Sequence, residues 1–396
     1  MQINRRLFTT IRLPKARTEI HHITPLCFEQ FQAQRQYIRY KAAPGETAVT
    51  AAPAATATMD PKLKRIIELI ESKKKPSHPW NRQERYDQLF YSFSPEHASW
   101  QATSPSAGSA STSVVSKFSI LSWNIDFMLP FTDERMSAAL KHMESHVQGT
   151  SPPPIIMLQE MLETDLALIQ AQPWIRTNYH LTDIDTKYWE SGHYGTCTLI
   201  PKVVPVVSVF RVHYQETVME RDGLFVDLDM GNGQVVRICN THLESLIANP
   251  PKRPHQLATA AKWMHEAGIS GSVLGGDLNA IQDFDKTLHS DNDLQDAYLT
   301  LGGKEDSDEG FTWGQMAPTK LRNMFGCSRM DKLFFCGHLK CEKFERVGLG
   351  VEAAEENVKE SLIKEEGMEA GWVTDHLGVK AEFSVLGDPK TAASKI

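Results

Sequence analysis

Residues 273–280 read VLGGDLNA: two apolar residues, two glycines, then a carboxylate and an amide two positions apart, Asp277 and Asn279. The pattern predicts a buried strand that runs into a tight turn. In extended chain, residues two apart face the same side. The acid can then take a proton from water or hold a cation, and the amide can hold that water. The glycines are expected to let a phosphate approach the backbone. Polar groups recur where other apolar runs stop. Asn124 follows FSILSW, Glu160 follows IIMLQ, and His242 and Glu244 follow VVRICNT; Asp331 lies within SRMDKLFF, and Asp375 and His376 precede LGVKAEF. Each alone reads equally well as a turn former, a solvated acid or a core histidine. Their recurrence at strand ends places them where α/β sheets assemble sites. Oxygen donors without a Cys/His cluster suit Mg²⁺ or Mn²⁺, with Glu160 as first choice of ligand. Two histidines and an amide could hold phosphoryl oxygens. Walker A, GxSxG and HExxH patterns are absent, which leaves the NTPase, serine hydrolase and zinc protease readings without their motifs.

The elements that must carry these groups alternate between strands and helices, which implies an α/β protein with strands buried on both faces. Strands are expected over 118–127, 155–162, 192–202, 203–212, 223–230, 234–245, 310–315, 329–337 and 373–386, besides the one ending at Asp277. Residues 223–245 should form a hairpin that turns at Gly231–Gly233. Helices are expected over 132–148, 163–171, 254–267, 291–301 and 352–367. The organised domain runs from 117 to 387, followed by a short tail, 388–396.

Ahead of it, residues 1–58 carry eight Lys and Arg against three Glu, whereas the rest of the chain carries 34 basic and 46 acidic side chains. The acidic body argues against broad non-specific duplex binding, which relies on many phosphate contacts. The first twenty residues are Arg-rich and acid-poor, the composition of a mitochondrial presequence or a basic tail. An Ala/Pro/Thr linker follows at 42–58, and Met59 reads as an alternative start. The form beginning there would be nuclear or cytoplasmic, and the longer form mitochondrial. Asp60 and Pro61 open a helical pattern, and six Trp, Tyr and Phe between 78 and 100 suggest a segment packed on the main domain. The hydrophobic content of 41% is that of a globular protein. No apolar run reaches the length of a membrane span, so an integral membrane protein is excluded. None of the six cysteines forms a CxxC pair, so structural thiols are expected rather than a zinc site.

The order WN, QE, NTHLES, GGDLNA, RMD, TDH resembles the endonuclease/exonuclease/phosphatase superfamily, over about residues 117–386. WNID, THLES, FTW and RMDKLFF are most similar to its tyrosyl-DNA phosphodiesterase branch. The chain departs from that pattern in GDLN where the branch has GDTN, and in the insert IANPPKRPH after THLES. The resemblance implies a four-layer α/β/β/α sandwich, two packed mixed β-sheets flanked by helices. It implies that Glu160 binds Mg²⁺ (or Mn²⁺), helped by Asn124 and Asp375 through water. Asp277 would activate or orient the attacking water, and Asn279 would position it. His376 would stabilise charge on the phosphoryl oxygens while Asp331 orients its ring; His242 would lie beside the phosphate. Arg253, with Gln256, matches an RxxQ pattern and is a candidate phosphate or DNA contact. Trp313 is a candidate base-stacking residue or a core tryptophan. The implied substrate is DNA with a blocked 5′ end, a phosphotyrosyl scar of a stalled topoisomerase, single-stranded near the site, with no membrane and a monomer expected. The alternatives are a related phosphodiesterase or phosphatase acting on RNA, abasic DNA or a small phosphoester, and a non-catalytic binding member.

Overall fold

The computed structural model describes Glu68 and residues 72–75, 77–104 and 114–387. The basic extension, the Ala/Pro/Thr linker, Met59, most of the helical pattern opened by Asp60 and the final tail lie outside the described residues. In chain order the elements are β1 (Arg85–Asp87), β2 (Phe90–Ser94), β3 (Ser99–Thr103), β4 (Lys117–Asn124), α1 (Thr132–Val147), β5 (Ile155–Leu162), α2 (Glu163–Ala171), α3 (Pro173–Asn178), β6 (Tyr179–Leu181), β7 (Tyr194–Pro201), β8 (Val206–His213), β9 (Asp222–Asp229), β10 (Val235–Thr241), α4 (Arg253–Met264), β11 (Gly271–Asp277), β12 (Gln295–Asp296), α5 (Ala297–Thr300), α6 (Thr319–Phe325), β13 (Asp331–Gly337), β14 (Leu339–Val347), α7 (Glu356–Lys364) and β15 (Gly378–Val385).

Among the described residues the strands form two mixed sheets. One has the order β1-β8-β9-β10-β11-β13-β12 and the other β14-β15-β4-β5-β7-β6-β2-β3. They stack face to face with helices outside, a four-layer α/β/β/α sandwich. Side-chain alternation builds the layers. Ile120, Met157, Ile238, Val273, Leu333 and Val379 face inward between the sheets. Their neighbours Leu121, Ile156 and Leu158 pack under α1, and Cys239, Leu274 and Phe334 under α4. The parallel pairs β4/β5 and β10/β11 set four strand ends side by side, with Asn124 opposite Gln159 and Asn240 opposite Gly275. The antiparallel strand β13 starts at the same end, with Asp331 directly opposite Asp277.

Three expectations change. The helix over 291–301 is broken into a 3₁₀ turn, β12 and the single turn of α5. Asp293 takes a positive φ of 55°, and the Asp296 side chain caps α5 by accepting from Tyr298 N and Leu299 N. Residues 310–315 are not a strand: only Trp313 bridges, to Ser328 and to His376, and Gly314 turns the chain at φ 103°. The edge strand β14 was not expected, because its charged residues mask the alternation. The aromatic segment before the domain packs along both sheets. β1 pairs with β8, β2 with β6, and Trp80 stacks on His213 with centroids 4.0 Å apart.

One buried cation fixes the loops that follow β4 and precede β15. Arg135, on α1, is 1% exposed and donates to the carbonyls of Ile125, Asp126, Leu129, Pro130 and Val373 at 2.6–2.8 Å. Replacing it by methionine strands those carbonyls without a partner, each a buried polar group that has lost its hydrogen bond. Arg135→Met is expected to lower the unfolding free energy by about 3 kcal/mol or more. Urea unfolding followed by circular dichroism measures it; an unchanged midpoint removes this role.

Candidate active site

Asp277, the last residue of β11, is 2% exposed, and its carboxylate is held from several sides. Asn124 Nδ2, at the end of β4, donates to Oδ2 at 3.0 Å, and Asn279 N donates to Oδ1 at 2.8 Å. His242 Nε2 lies 3.3 Å from Oδ2 and His376 Nε2 3.8 Å. Burial alone would raise the pKa of Asp277. The charge of His376 and the hydrogen bonds from His242 and Asn279 outweigh it, so the carboxyl stays ionised, well below the usual carboxylate range.

The two histidines are held in different states. His376 Nδ1 donates to Asp331 Oδ2 at 2.8 Å. Burial opposes its charge, but Asp331, Asp375 and Asp277 together hold its pKa well above that of a free histidine, so it is an imidazolium. Burial pushes Asp331 up to about 6 against the pull of His376. His242 is neutral. Burial, then the charge of Arg221, bring it down to about 4. Arg221 Nη1 donates to its Nδ1 at 2.6 Å, so Nε2 carries the hydrogen that points at Asp277. The Arg221 guanidinium also sits over the ring of Tyr194, 5.4 Å from its centroid, and Tyr194 stacks on Phe127 at 4.5 Å.

Beside Asp277 lies a group of acids without an equivalent cation. Burial and the charge of Asp126 push Glu160 up to about 8 and Asp375 up to about 7. Phe127 N donates to Glu160 Oε2 at 3.1 Å, and the Trp313 indole N–H donates to Asp375 Oδ2 at 2.7 Å. Close carboxylates that hold protons for want of a positive charge fit a divalent cation with oxygen ligands. Glu160 and Asp375 could hold it, with Asp126, whose charge acts on both, beside them. Glu160, His242 and Asp277 also offer atoms within 4.8 Å of one another. Asp126, Glu160 and Asn279 all take positive φ, at 57°, 59° and 49°. Non-glycine residues adopt that region at a cost, and such residues gather at functional sites. Glu160 gets there through a bulge in β5, where pairing with β7 shifts between Leu158 and Met161.

The model of the Endonuclease/Exonuclease/phosphatase family matches residues 121–376, well over half of the chain. The chain belongs to that family. Its relatives include Tyrosyl-DNA phosphodiesterase 2 of Xenopus tropicalis, 26% identical over 239 residues, which are 59% of this chain and 60% of that protein. The Xenopus laevis protein of the same name is 25% identical over 275 residues, 68% of this chain and 67% of that one. The match thus spans less than two thirds of the X. tropicalis protein. The solved structure of D. rerio TDP2 complexed with a single-strand DNA product shares the fold. It has a TM-score of 0.52 and 18% identity, and the match covers 68% of this chain and all of that one.

This family member carries all ten expected site residues within the matched stretch, and the fold brings nine of them together. Asn124 binds Asp277 rather than Glu160, and its Oδ1 accepts from Asp126 N at 2.9 Å. Asn279 is in a turn, not in extended chain, and its side-chain amide donates to Leu243 O at 3.0 Å. Trp313, 9% exposed, braces Asp375 and leaves little surface for a base. Arg253 is the exception. It is 3% exposed, pairs with Asp285 at 2.7 Å and donates to the carbonyls of Glu244 and Leu246. It ties the start of α4 to the preceding loop and to the segment after β11, and does not reach the site, because its donors are taken up inside the protein. Glu244 is likewise structural, accepting from Val218 N and Met219 N. The glycines serve strand packing: a Cβ on Gly276 would lie 1.8 Å from Thr241 O, and one on Gly275 2.2 Å from the Leu333 side chain. Sequence reasoning missed Arg221, which no motif marks. It left Asp126 out, although Asp126 stands two residues beyond Asn124 in WNID.

Metal binding must displace protons from Glu160 and Asp375. The affinity for Mg²⁺ or Mn²⁺ is therefore expected to flatten above pH 8, to fall by about tenfold per unit between pH 8 and 7 as one proton must leave, and to fall by about a hundredfold per unit below pH 7 as two must leave. Calorimetry in buffers of different ionisation enthalpy reads the proton release, and binding without release removes these acids as ligands. Trp313→Phe keeps an aromatic side chain but removes the indole N–H that donates to Asp375. It is expected to weaken metal binding by about tenfold, read by titration of a preparation shown by circular dichroism to be folded.

Proposed function

We propose that this chain is a divalent-metal-dependent phosphodiesterase that cleaves the 5′-phosphotyrosyl bond of DNA, a repair reaction on ends blocked by topoisomerase. The observation that carries the hydrolytic reading is the Asp277 carboxylate, braced from both sheets between an imidazolium, a neutral histidine and a trio of acids. The names of the relatives, and the single-strand DNA product bound to the D. rerio protein, support the substrate.

The reaction is an in-line attack of water on phosphorus, with tyrosine leaving and a 5′-phosphate remaining. Asp277 is too well stabilised to be a strong base, so it holds and aims the water through hydrogen bonds. Asn279 lines the same cavity and limits where that water can sit. The His376 imidazolium, oriented by Asp331, faces the oxygens that gain charge as the bond breaks, while the His242 N–H holds the Asp277 carboxylate. A divalent ion held by Glu160 and Asp375 would supply Lewis-acid stabilisation of the phosphoryl oxygens. Arg221 keeps His242 neutral and in the tautomer that can donate.

The test is turnover of a 5′-tyrosyl single-stranded oligonucleotide with Mg²⁺, beside an RNA, an abasic duplex and an inositol phosphate. Clean conversion to a 5′-phosphate is expected, lost in Glu160→Ala and reduced by about 10²–10⁴ in Asp277→Asn. Circular dichroism checks that both variants fold. Turnover of another substrate alone rejects the phosphotyrosyl reading but keeps the hydrolytic one. Full activity of Glu160→Ala without added metal rejects the mechanism.

A further inference from the structure

The groove around Asp277 is wide, about 870 Å³, and its charge is of the wrong sign for a strand of phosphates. Eight carboxylates line it against one lysine and one arginine, besides His376. Both cations are already engaged. Lys286 Nζ lies 3.0 Å from Asp306 and 3.5 Å from Asp283. Arg329 is 2% exposed at its side chain and pairs with Asp296 at 2.7 Å and with Glu305. At the rim, the Asp283 side chain is fully exposed and that of Asp306 is 71% exposed. The same lining holds apolar side chains. Ile247 and Ile281 are 66% and 38% exposed, and Leu321 lies in the same lining.

Proteins that hold a single strand by its backbone place Lys or Arg along the track, and each neutralised phosphate steepens the salt dependence of binding. Apolar and aromatic walls instead hold a base by its face, with little sensitivity to salt. Here the metal and His376 can neutralise the scissile phosphate. No lining cation among the described residues is left for the phosphates beyond it, and the rim acids repel them.

The geometry points to a short recognition unit: the groove binds the scissile phosphodiester and its attached nucleotide through these apolar side chains, and Asp283 and Asp306 exclude further backbone phosphates. The inference rests on the phosphotyrosyl reading above and narrows its substrate to the end of the strand. Lengthening the DNA therefore adds no affinity, and added salt removes little.

The full chain is assayed on 5′-tyrosyl oligothymidylates of about two to sixteen nucleotides at fixed Mg²⁺, between about 50 and 200 mM salt. kcat/KM is expected to stay within about threefold across the lengths, with a log–log salt slope no steeper than about −1. A larger rise with length, or a steeper slope, overturns the inference. The double variant Asp283→Lys/Asp306→Lys, at two exposed positions outside the reacting centre, is expected to gain about tenfold on the longest oligonucleotide and nothing on the shortest. Equal behaviour of variant and wild type removes these acids as the determinants and overturns it too. If no member of the series is turned over while Mg²⁺ still binds, the phosphotyrosyl reading itself has failed and takes the inference with it.

Discussion

Asp277 Oδ2 joins the two sheets chemically. It accepts from Asn124 Nδ2, at the end of β4 in one sheet, while it belongs to β11 in the other, and His242 at the end of β10 and His376 ahead of β15 close around it. An ionised carboxylate buried to 2% exposure is stable only if donors replace its lost hydration. Those donors come from segments as far apart in sequence as Asn124 and His376. The charge therefore demands that the sheets stack in one register. A slip of one residue in β11 would turn Asp277 away and send Leu274 into the layer occupied by Val273.

The surrounding backbone is shaped to meet that demand. Asp126, Glu160 and Asn279 sit in the left-handed region, a strain of about 1–3 kcal/mol at each position. The strain persists because its surroundings are rigid. Arg135 clamps the loop after β4 and the carbonyl of Val373, and Thr374 Oγ1 donates to Asn124 O at 2.9 Å. Beneath the site, Gln159 Nε2 donates to Asn240 Oδ1 at 2.8 Å across the sheet interface, a buried amide pair that fixes the same register from within the core.

Charge is partitioned over short distances. On one side of Asp277, His376 and the neutral His242 present donors; on the other, Glu160 and Asp375 crowd beside Asp126 and hold protons that a cation would displace. The same sign continues outward along the groove, where Lys286 and Arg329 are spent on local acids. A site built this way concentrates its attraction at one phosphate and offers little to its neighbours.

Much of this was legible in the chain. Apolar runs with alternating burial mark the strands, because that period follows from backbone geometry alone; the sandwich was implied by the family resemblance. The polar residues that stop those runs, Asn124, Glu160, His242, Asp277, Asp331, Asp375 and His376, are visible as interruptions, and their order marks the family. Edge and loop elements were less legible. β14 hides behind its charges, and Trp313 lies in a turn that pairs through single bridges. Only the tertiary structure decided what each polar group does. Arg253 and Arg221 are both buried arginines, yet one is consumed by Asp285 and the other sets the tautomer of His242. Asn124 serves Asp277 instead of the metal acids, and a bulge in β5 aims Glu160. Sequence records which groups exist and on which strand. Hydrogen-bond partners, burial and proton affinity depend on distances between segments far apart in the chain, and those exist only once the two sheets are packed.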